Sequence, residues 1–230
     1  METVDFLRRI LPVTGLYVIA RFINGKFRHT VCVSIEEAAP YALQFDAQGV
    51  TTYHANAAYI ARSVETQRNG ETWHQVRTHK NVRALKCFWM DLDVKPGVPT
   101  AYESQDAAVE GLAEFLNKTN LPMPMVISSG FGIHIYWTLE NEILPEIWKP
   151  LAAELKTLAA HHGFKADPAC TSDAARVLRP VGTFNRKDAT NPRRVEVVAD
   201  SDANGLSSFA SRIHRATGDA GITAATAPAV

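Results

Sequence analysis

Hydrophobic and polar positions along this chain change period several times, and each change marks an element. Leu16 to Phe22 and Phe27 to Val33 are apolar-rich segments flanking Asn24-Gly25, a dipeptide suited to a two-residue hairpin turn. Ser34 and Glu37 stand at capping-box spacing ahead of a helix over Ala38 to Phe45, and Val50 to Ala55 follows as a strand. The polar, basic stretch from Arg62 to Arg83 has no assignable period. From Arg83 the order is plainer. A strand runs to Asp91, a helix from Ser104 to Lys118, strands over Met125 to Ser128 and Ile133 to Leu139, a helix from Pro145 to His161, and a late strand from Arg194 to Ala199. That succession is β-α-β-β-α-β, the split βαβ arrangement, so an α+β fold is expected: one sheet with helices on a single face, behind an N-terminal α/β layer. The other face is then open and free to hold chemistry. The small, Ala/Thr-rich stretch from Ala216 to Val230 has no period and reads as a flexible tail or linker.

Bulk properties narrow the function. At 230 residues, 46% hydrophobic and 21% charged, the chain can bury one substantial core. Its formal net charge is zero, so no global field draws it to nucleic acid or membrane, and any polyanion contact must be local. Cys32, Cys87 and Cys170 are far apart and form no Cys-x-x-Cys pair, which argues against a structural zinc or a disulfide framework and for a reducing compartment. No apolar run is long enough for a bilayer, and Met1 to Arg9 lacks the apolar segment of a signal peptide.

Three segments carry chemistry. The first is Phe88-Trp89-Met90-Asp91-Leu92-Asp93, where strand alternation turns Asp91 and Asp93 to one face and Phe88, Met90 and Leu92 to the other. Two carboxylates on one face suit a hard divalent cation such as Mg²⁺ or Mn²⁺, although the same spacing also ends many strands in a solvated turn. The second is Ser128 to Trp137. Gly130 and Gly132 permit close backbone approach to a ligand, and Gly132, His134 and Tyr136 share one face, from which His134 can donate to a phosphate oxygen; the plain alternative is a tight hairpin with a half-buried His. The third is Asp167 to Lys187. Between Arg176 and Arg194 lie six Lys/Arg residues against the single acid Asp188, a local positive patch suited to triphosphate and nucleic-acid backbone, and Asp173 can complete a three-carboxylate site. Otherwise this segment is a solvated basic loop with Asp173 capping a turn. His161-His162 reads as a helix end, His74 and His79 as surface residues, and Arg62, Arg68, Arg77, Lys80, Arg83 and Lys86 as a solvated basic face or a template contact.

Taken jointly, these motifs resemble the archaeo-eukaryotic primase superfamily, in particular the primase-polymerase catalytic domains of phage and plasmid replication proteins, over about Val82 to Val198. Such domains show an apolar strand ending in Asp-x-Asp, a glycine-rich turn leading to His, and an Asp followed by an Arg-x-Leu-Arg-x-Pro-Gly-Thr-x-Asn-x-Lys-like run. Here Val181 separates Pro180 from Gly182, and Gly132 stands where some branches place a Ser. The resemblance implies a catalytic domain over residues 1–215, with the N-terminal α/β layer at 1–82 and an RRM-like catalytic unit at 83–200. It implies that Asp91, Asp93 and Asp173 coordinate two divalent cations, Mg²⁺ or Mn²⁺. His134, Arg179 and Lys187 would hold the nucleotide's phosphates, with Arg176 nearby, Asn185 on sugar or phosphate, and Ser129, Gly130 and Gly132 lining the nucleotide site. The implied activity is template-directed synthesis of primers and their extension. The implied partners are single-stranded DNA, nucleoside triphosphates and a fused or separate replicative helicase, in the cytoplasm of a bacterial host and away from membranes. A non-catalytic origin-binding or single-strand-binding module on the same sheet is the alternative, with Tyr136 as its stacking aromatic.

Overall fold

The computed structural model describes residues 1–222, apart from the side chain of Arg68. In chain order the elements are α1 (Thr3–Ile10), β1 (Tyr17–Ile23), β2 (Lys26–Cys32), α2 (Ile35–Ala47), β3 (Thr51–Ala55), β4 (Ala57–Tyr59), β5 (Val64–Arg68) and β6 (Glu71–Gln75). They continue with β7 (Val82–Leu92), α3 (Gln105–Thr119), β8 (Met125–Ser128), β9 (Ile133–Ile143), α4 (Pro145–His161) and α5 (Pro168–Thr171). The last are β10 (Val177–Leu178), β11 (Phe184–Asn185), β12 (Arg193–Arg194), β13 (Glu196–Ala199) and α6 (Leu206–Asp219). The fold is mixed α/β with antiparallel sheets.

Local chemistry accounts for the boundaries. Asn24 and Gly25 both adopt positive φ, so the β1–β2 ladder closes as a two-residue hairpin from Ile23↔Lys26 back to Tyr17↔Cys32. Asn69 and Gly70 do the same between β5 and β6, which is what the basic stretch after Arg62 contains. Ser34 and Ser104 each accept a hydrogen bond from the amide three residues on, at 3.1 and 3.0 Å, and start α2 and α3. In α1 the buried residues Thr3, Phe6, Leu7 and Ile10 recur at helical spacing and form one apolar stripe.

The main sheet has five strands in the order β13-β8-β9-β7-β4, and a second sheet has the order β10-β3-β1-β2. The expected β-α-β-β-α-β succession is present as β7-α3-β8-β9-α4-β13. Its late strand joins the outer edge of β8, and the remaining edge of β7 is taken by β4. One face of the main sheet meets α4 and α6. Phe88 stacks on Trp148 at 5.8 Å and lies 5.2 Å from Phe209, and Trp137 lies 5.9 Å from Phe209. Burying each such ring contributes on the order of 2–3 kcal/mol. The indole donors stay satisfied: Trp148 donates to the Cys87 carbonyl at 2.9 Å and Trp89 to that of Cys170 at 3.1 Å.

The opposite face is covered for most of its length, which corrects the expectation of an open face. The stripe of α1 needs a partner, and Phe6 packs edge-on against Tyr136 at 5.7 Å and His54 at 5.4 Å, wedging the helix between the sheets. Tyr136 is fully buried and is no stacking platform for a strand of DNA. The tail also begins later than expected. Phe209, Ile213, Ala216 and Thr217 bury one side of α6, so residues 216–219 are its last turn; residues 223–230 of the expected tail lie outside the described residues. Among the described residues no helix is long and apolar enough to cross a membrane.

Candidate active site

At the end of β7 the covering layer stops and a cavity of about 290 Å³ opens, lined by Asp91, Asp93, Val94, Lys95, Ser129, Phe131, Gly132, His134, Arg179, Asn185 and Lys187. A larger cleft of about 540 Å³ beside α1, with Arg8, Thr14, Tyr17, Ser34 and Glu36 on its wall, holds no comparable convergence of charges. Asp91 pairs directly with His134 across the β7–β9 ladder, and the His134 Nε2 lies 3.8 Å from the Asp91 carboxylate. Asp93 is half exposed and ion-paired with Lys95 at 2.7 Å. Lys95 therefore belongs to the site, although its sequence neighbourhood of Pro and Gly reads only as a turn.

The structure places Asp173 apart from Asp91 and Asp93. Asp173 does not line this cavity: its carboxylate accepts from the Ala175 amide at 3.0 Å and faces the His79 Nε2 at 3.3 Å. The fold instead brings Asp167 to the edge of β7, where its amide donates to the Asp91 carbonyl at 2.8 Å. The Asp167 carboxylate accepts from the Ala169 amide, capping α5, and pairs with Arg176 at 2.6 Å. Arg176 therefore stands behind the acids, holding Asp167, rather than on the cavity wall.

Electrostatics bear the imprint of this crowding. Burial, with the charges of Asp93 and Asp167 adding to it, pushes Asp91 up to about 7, against relief from Arg176 and Arg179. His134, 1% exposed and facing Arg179 and His54, is held well below the usual imidazole range and is neutral. Oxygen donors that resist ionising together for want of positive charge are the donor set a hard cation satisfies. Asp91 and Asp93 offer such a cation oxygen donors on the cavity wall, and Asp167 is near enough for its charge to act on Asp91. No three acidic, His or Cys side chains among the described residues stand close enough to form a finished cluster, and Asp93 must first leave Lys95.

The glycines serve the protein more than a ligand. A Cβ on Gly130, whose φ is +91°, would meet the Asn185 Cβ at 2.8 Å, and one on Gly132 would meet the Leu92 carbonyl oxygen at 2.7 Å. They let the 128–132 turn close onto the end of β7 and onto the basic segment. Ser129 accepts from the Gly132 amide at 3.2 Å, which holds the turn. Asn185 donates to the Ser129 carbonyl at 2.7 Å and accepts from the Lys187 amide at 3.1 Å, so both ends of its amide are engaged inside the protein. Arg179 donates to the Tyr53 hydroxyl at 3.2 Å, and β10 fixes its approach by pairing Leu178 with His54. Of the other basic residues, Arg83 pairs with Glu142 at 2.8 Å, Lys86 donates to the Arg8 carbonyl, and Arg186 is clamped on Asp46.

No protein-family model matches the chain, and neither does any curated protein sequence. Solved structures do. The AEP domain of the primase-polymerase of cyanophage S-2L superposes with a TM-score of 0.61 at 12% identity, over 91% of this chain and 94% of that one. Primase RepB′ gives 0.56 at 17% identity, over 95% of this chain and 63% of that one. The catalytic domain of RepB′ in complex with initiator DNA gives 0.56 at 16%, over 95% of each. What these share with the chain is its fold, the fold of the superfamily that the three motifs resemble.

Proposed function

We propose that this chain, built on the primase-polymerase fold, is a template-directed nucleotidyltransferase that makes primers and extends them in phage or plasmid DNA replication. The observation that carries the reading is the gathering of two strand-end carboxylates, a neutral His and the cations Arg179 and Lys187 around one cavity, with a third acid, Asp167, whose backbone amide is bonded to the edge of the same strand. The β7-α3-β8-β9-α4 portion is its RRM-like unit. Asp91, Asp93 and Asp167 would hold two divalent cations, Mg²⁺ or Mn²⁺. When bound, these would lower the pKa of the attacking 3′-hydroxyl and steady the triphosphate and leaving pyrophosphate.

Phosphoryl chemistry asks the protein chiefly for position and charge. Neutral His134 donates an N–H to a phosphate oxygen without adding charge, while Arg179 and Lys187 supply positive charge to the triphosphate from the same cavity. Arg176 keeps Asp167 ionised and oriented. Ser129, Gly130, Gly132 and Asn185 set the shape of the wall. Lys95 neutralises Asp93 until a cation replaces it. Single-stranded DNA and nucleoside triphosphates are the partners, a fused or separate helicase belongs to the same reading, and a bacterial host's cytoplasm is the place.

The test is incubation of the chain with single-stranded template, Mg²⁺ or Mn²⁺ and labelled ribo- or deoxynucleotides in separate reactions. Product synthesis that Asp91→Ala and Asp93→Ala abolish supports the reading; incorporation at the unmodified level in either variant overturns it.

A further inference from the structure

The second sheet carries a row of rings that neither the core nor the catalytic cavity uses. Arg21 lies 4.1 Å over Phe45 of α2, and His54 meets Phe6 of α1, so strand alternation turns Phe22 and Tyr53 to the sheet's other face. Phe27 and His29 join them there, opposite Phe22 and Ala20 in the ladder. Phe22 and Phe27 are 43% and 40% exposed, with centroids 5.2 Å apart; Tyr53 lies 5.7 Å from Phe27, and His29 stacks parallel to Phe27 at 6.3 Å. Adjacent exposed aromatics on a sheet are costly to leave in water and mark a binding surface.

Two features say what covers it. The row is flanked by cations and by no acid from its own strands: β1, β2 and β3 contain no Asp or Glu, and their own basic residues Arg21, Lys26 and Arg28 lie on the opposite face, so the charge beside the rings comes from Arg77 and Arg179. Arg77 sits 5.2 Å over Phe27 and Arg179 5.0 Å over Tyr53. The row is also continuous with the cavity, because the same Arg179 lines it together with Asp91, and its buried Nε has no partner among the described residues. Flat apolar faces interleaved with cations and leading into a polymerising site match a polyanion whose every unit has a π-face.

We propose that the Tyr53–Phe27–Phe22 row is the track of the single-stranded DNA template, bases stacking on Phe27 and Phe22 and the backbone running past Arg77 toward the Asp91 cavity. The proposal rests on the template-directed reading above for its name of template; the binding itself does not. Stacking is indifferent to base identity, so the track binds without sequence preference.

The test measures binding of the full chain to fluorescent oligo-dT by anisotropy for the wild type, Phe27→Ala, the Phe22→Ala/Phe27→Ala double variant and Phe27→Trp, with nucleotide incorporation by the wild type followed in the same preparation. Each lost ring weakens binding by about five-fold or more, and the slope of affinity against salt is unchanged because no cation is removed. Phe27→Trp keeps affinity, and its indole fluorescence is quenched by the oligonucleotide. Should the double variant fold poorly by circular dichroism, the Phe27→Trp quench decides. Wild-type affinity in a folded double variant, no quench in Phe27→Trp, or a wild-type dimer that Phe22→Ala disperses without touching DNA affinity each overturns the track. Incorporation by the wild type with DNA binding insensitive to both rings removes the track and leaves the enzyme; ring-dependent binding with no incorporation keeps the track and removes the enzyme.

Discussion

Replacing Asp91 by Asn separates what this residue does for the fold from what it does for the chemistry. Its carboxyl, pushed from 3.8 up to about 7, keeps a proton in the folded chain that the unfolded chain has already released. Between those values the folded state therefore binds more protons, and stability falls as pH rises. Above pH 7 the full penalty is present, on the order of 4 kcal/mol from the displacement alone. Because the Asp91 side chain is 23% exposed to the cavity, screening by water trims that figure. Asn has nearly the same shape, carries no charge, and sacrifices no short hydrogen bond, since the nearest polar contact is His134 at 3.8 Å. In EDTA at pH 8, Asp91→Asn is expected to be more stable than the wild type by ~2–4 kcal/mol, or roughly 10 °C in Tm for a chain of this size, and to incorporate no nucleotide. The gain should shrink on acidification and vanish near pH 4. Thermal and urea unfolding at pH 4, 5.5, 7 and 8 measure it. Equal stability at pH 8, or a gain that grows toward acid, would refute the electrostatic reasoning.

Other perturbations probe the scaffold. His54 is fully buried, and that burial holds it down to about 3, so the unfolded chain takes up a proton below its ordinary 6.5 that the folded chain refuses. The His54 contribution to stability is thus expected to fall from pH 6.5 downward, opposing that of Asp91, and His54→Leu should remove it, so that the urea midpoint of the variant declines less toward acid than that of the wild type; an equal decline would exclude His54 as a source. Phe6→Ala removes the ring that lies between Tyr136 and His54 and should cost about 3–5 kcal/mol, read as a lowered urea midpoint with unchanged m-value. Gly132→Ala puts a methyl 2.7 Å from the Leu92 carbonyl, should destabilise by about 1–3 kcal/mol, and should displace Asp93 enough to reduce incorporation.

Local pattern reveals what local forces decide. The strand running to Asp91, the helix capped by Ser104 and the helix from Pro145 to His161 are legible because apolar period and caps act within a few residues. Three further elements carry local signals of their own. The stripe Thr3, Phe6, Leu7, Ile10 marks α1, Asn69-Gly70 marks the β5–β6 hairpin, and Phe209, Ile213 and Ala216 mark α6. The site was legible only in part. Asp91 and His134 face each other in one ladder and Asp93 follows just past its end, a geometry that strand alternation gives. Asp167 is brought to Asp91 by a backbone bond between residues 76 positions apart, and nothing in the Asp-Pro dipeptide distinguishes it from an ordinary helix cap. Asp173, with its basic neighbours, has the more inviting sequence and stands off the cavity wall beside His79. The covering of Tyr136 is likewise a matter of how the two sheets sandwich α1, which no period encodes.

The account turns on which acids share a cation, and Mn²⁺ binding followed by electron paramagnetic resonance asks that directly. Titration of Mn²⁺ into the wild type, Asp91→Asn, Asp167→Asn and Asp173→Asn at pH 8 is expected to show binding weakened at least ten-fold in the first two variants and preserved in the third. Preserved binding in Asp167→Asn together with loss in Asp173→Asn would contradict it.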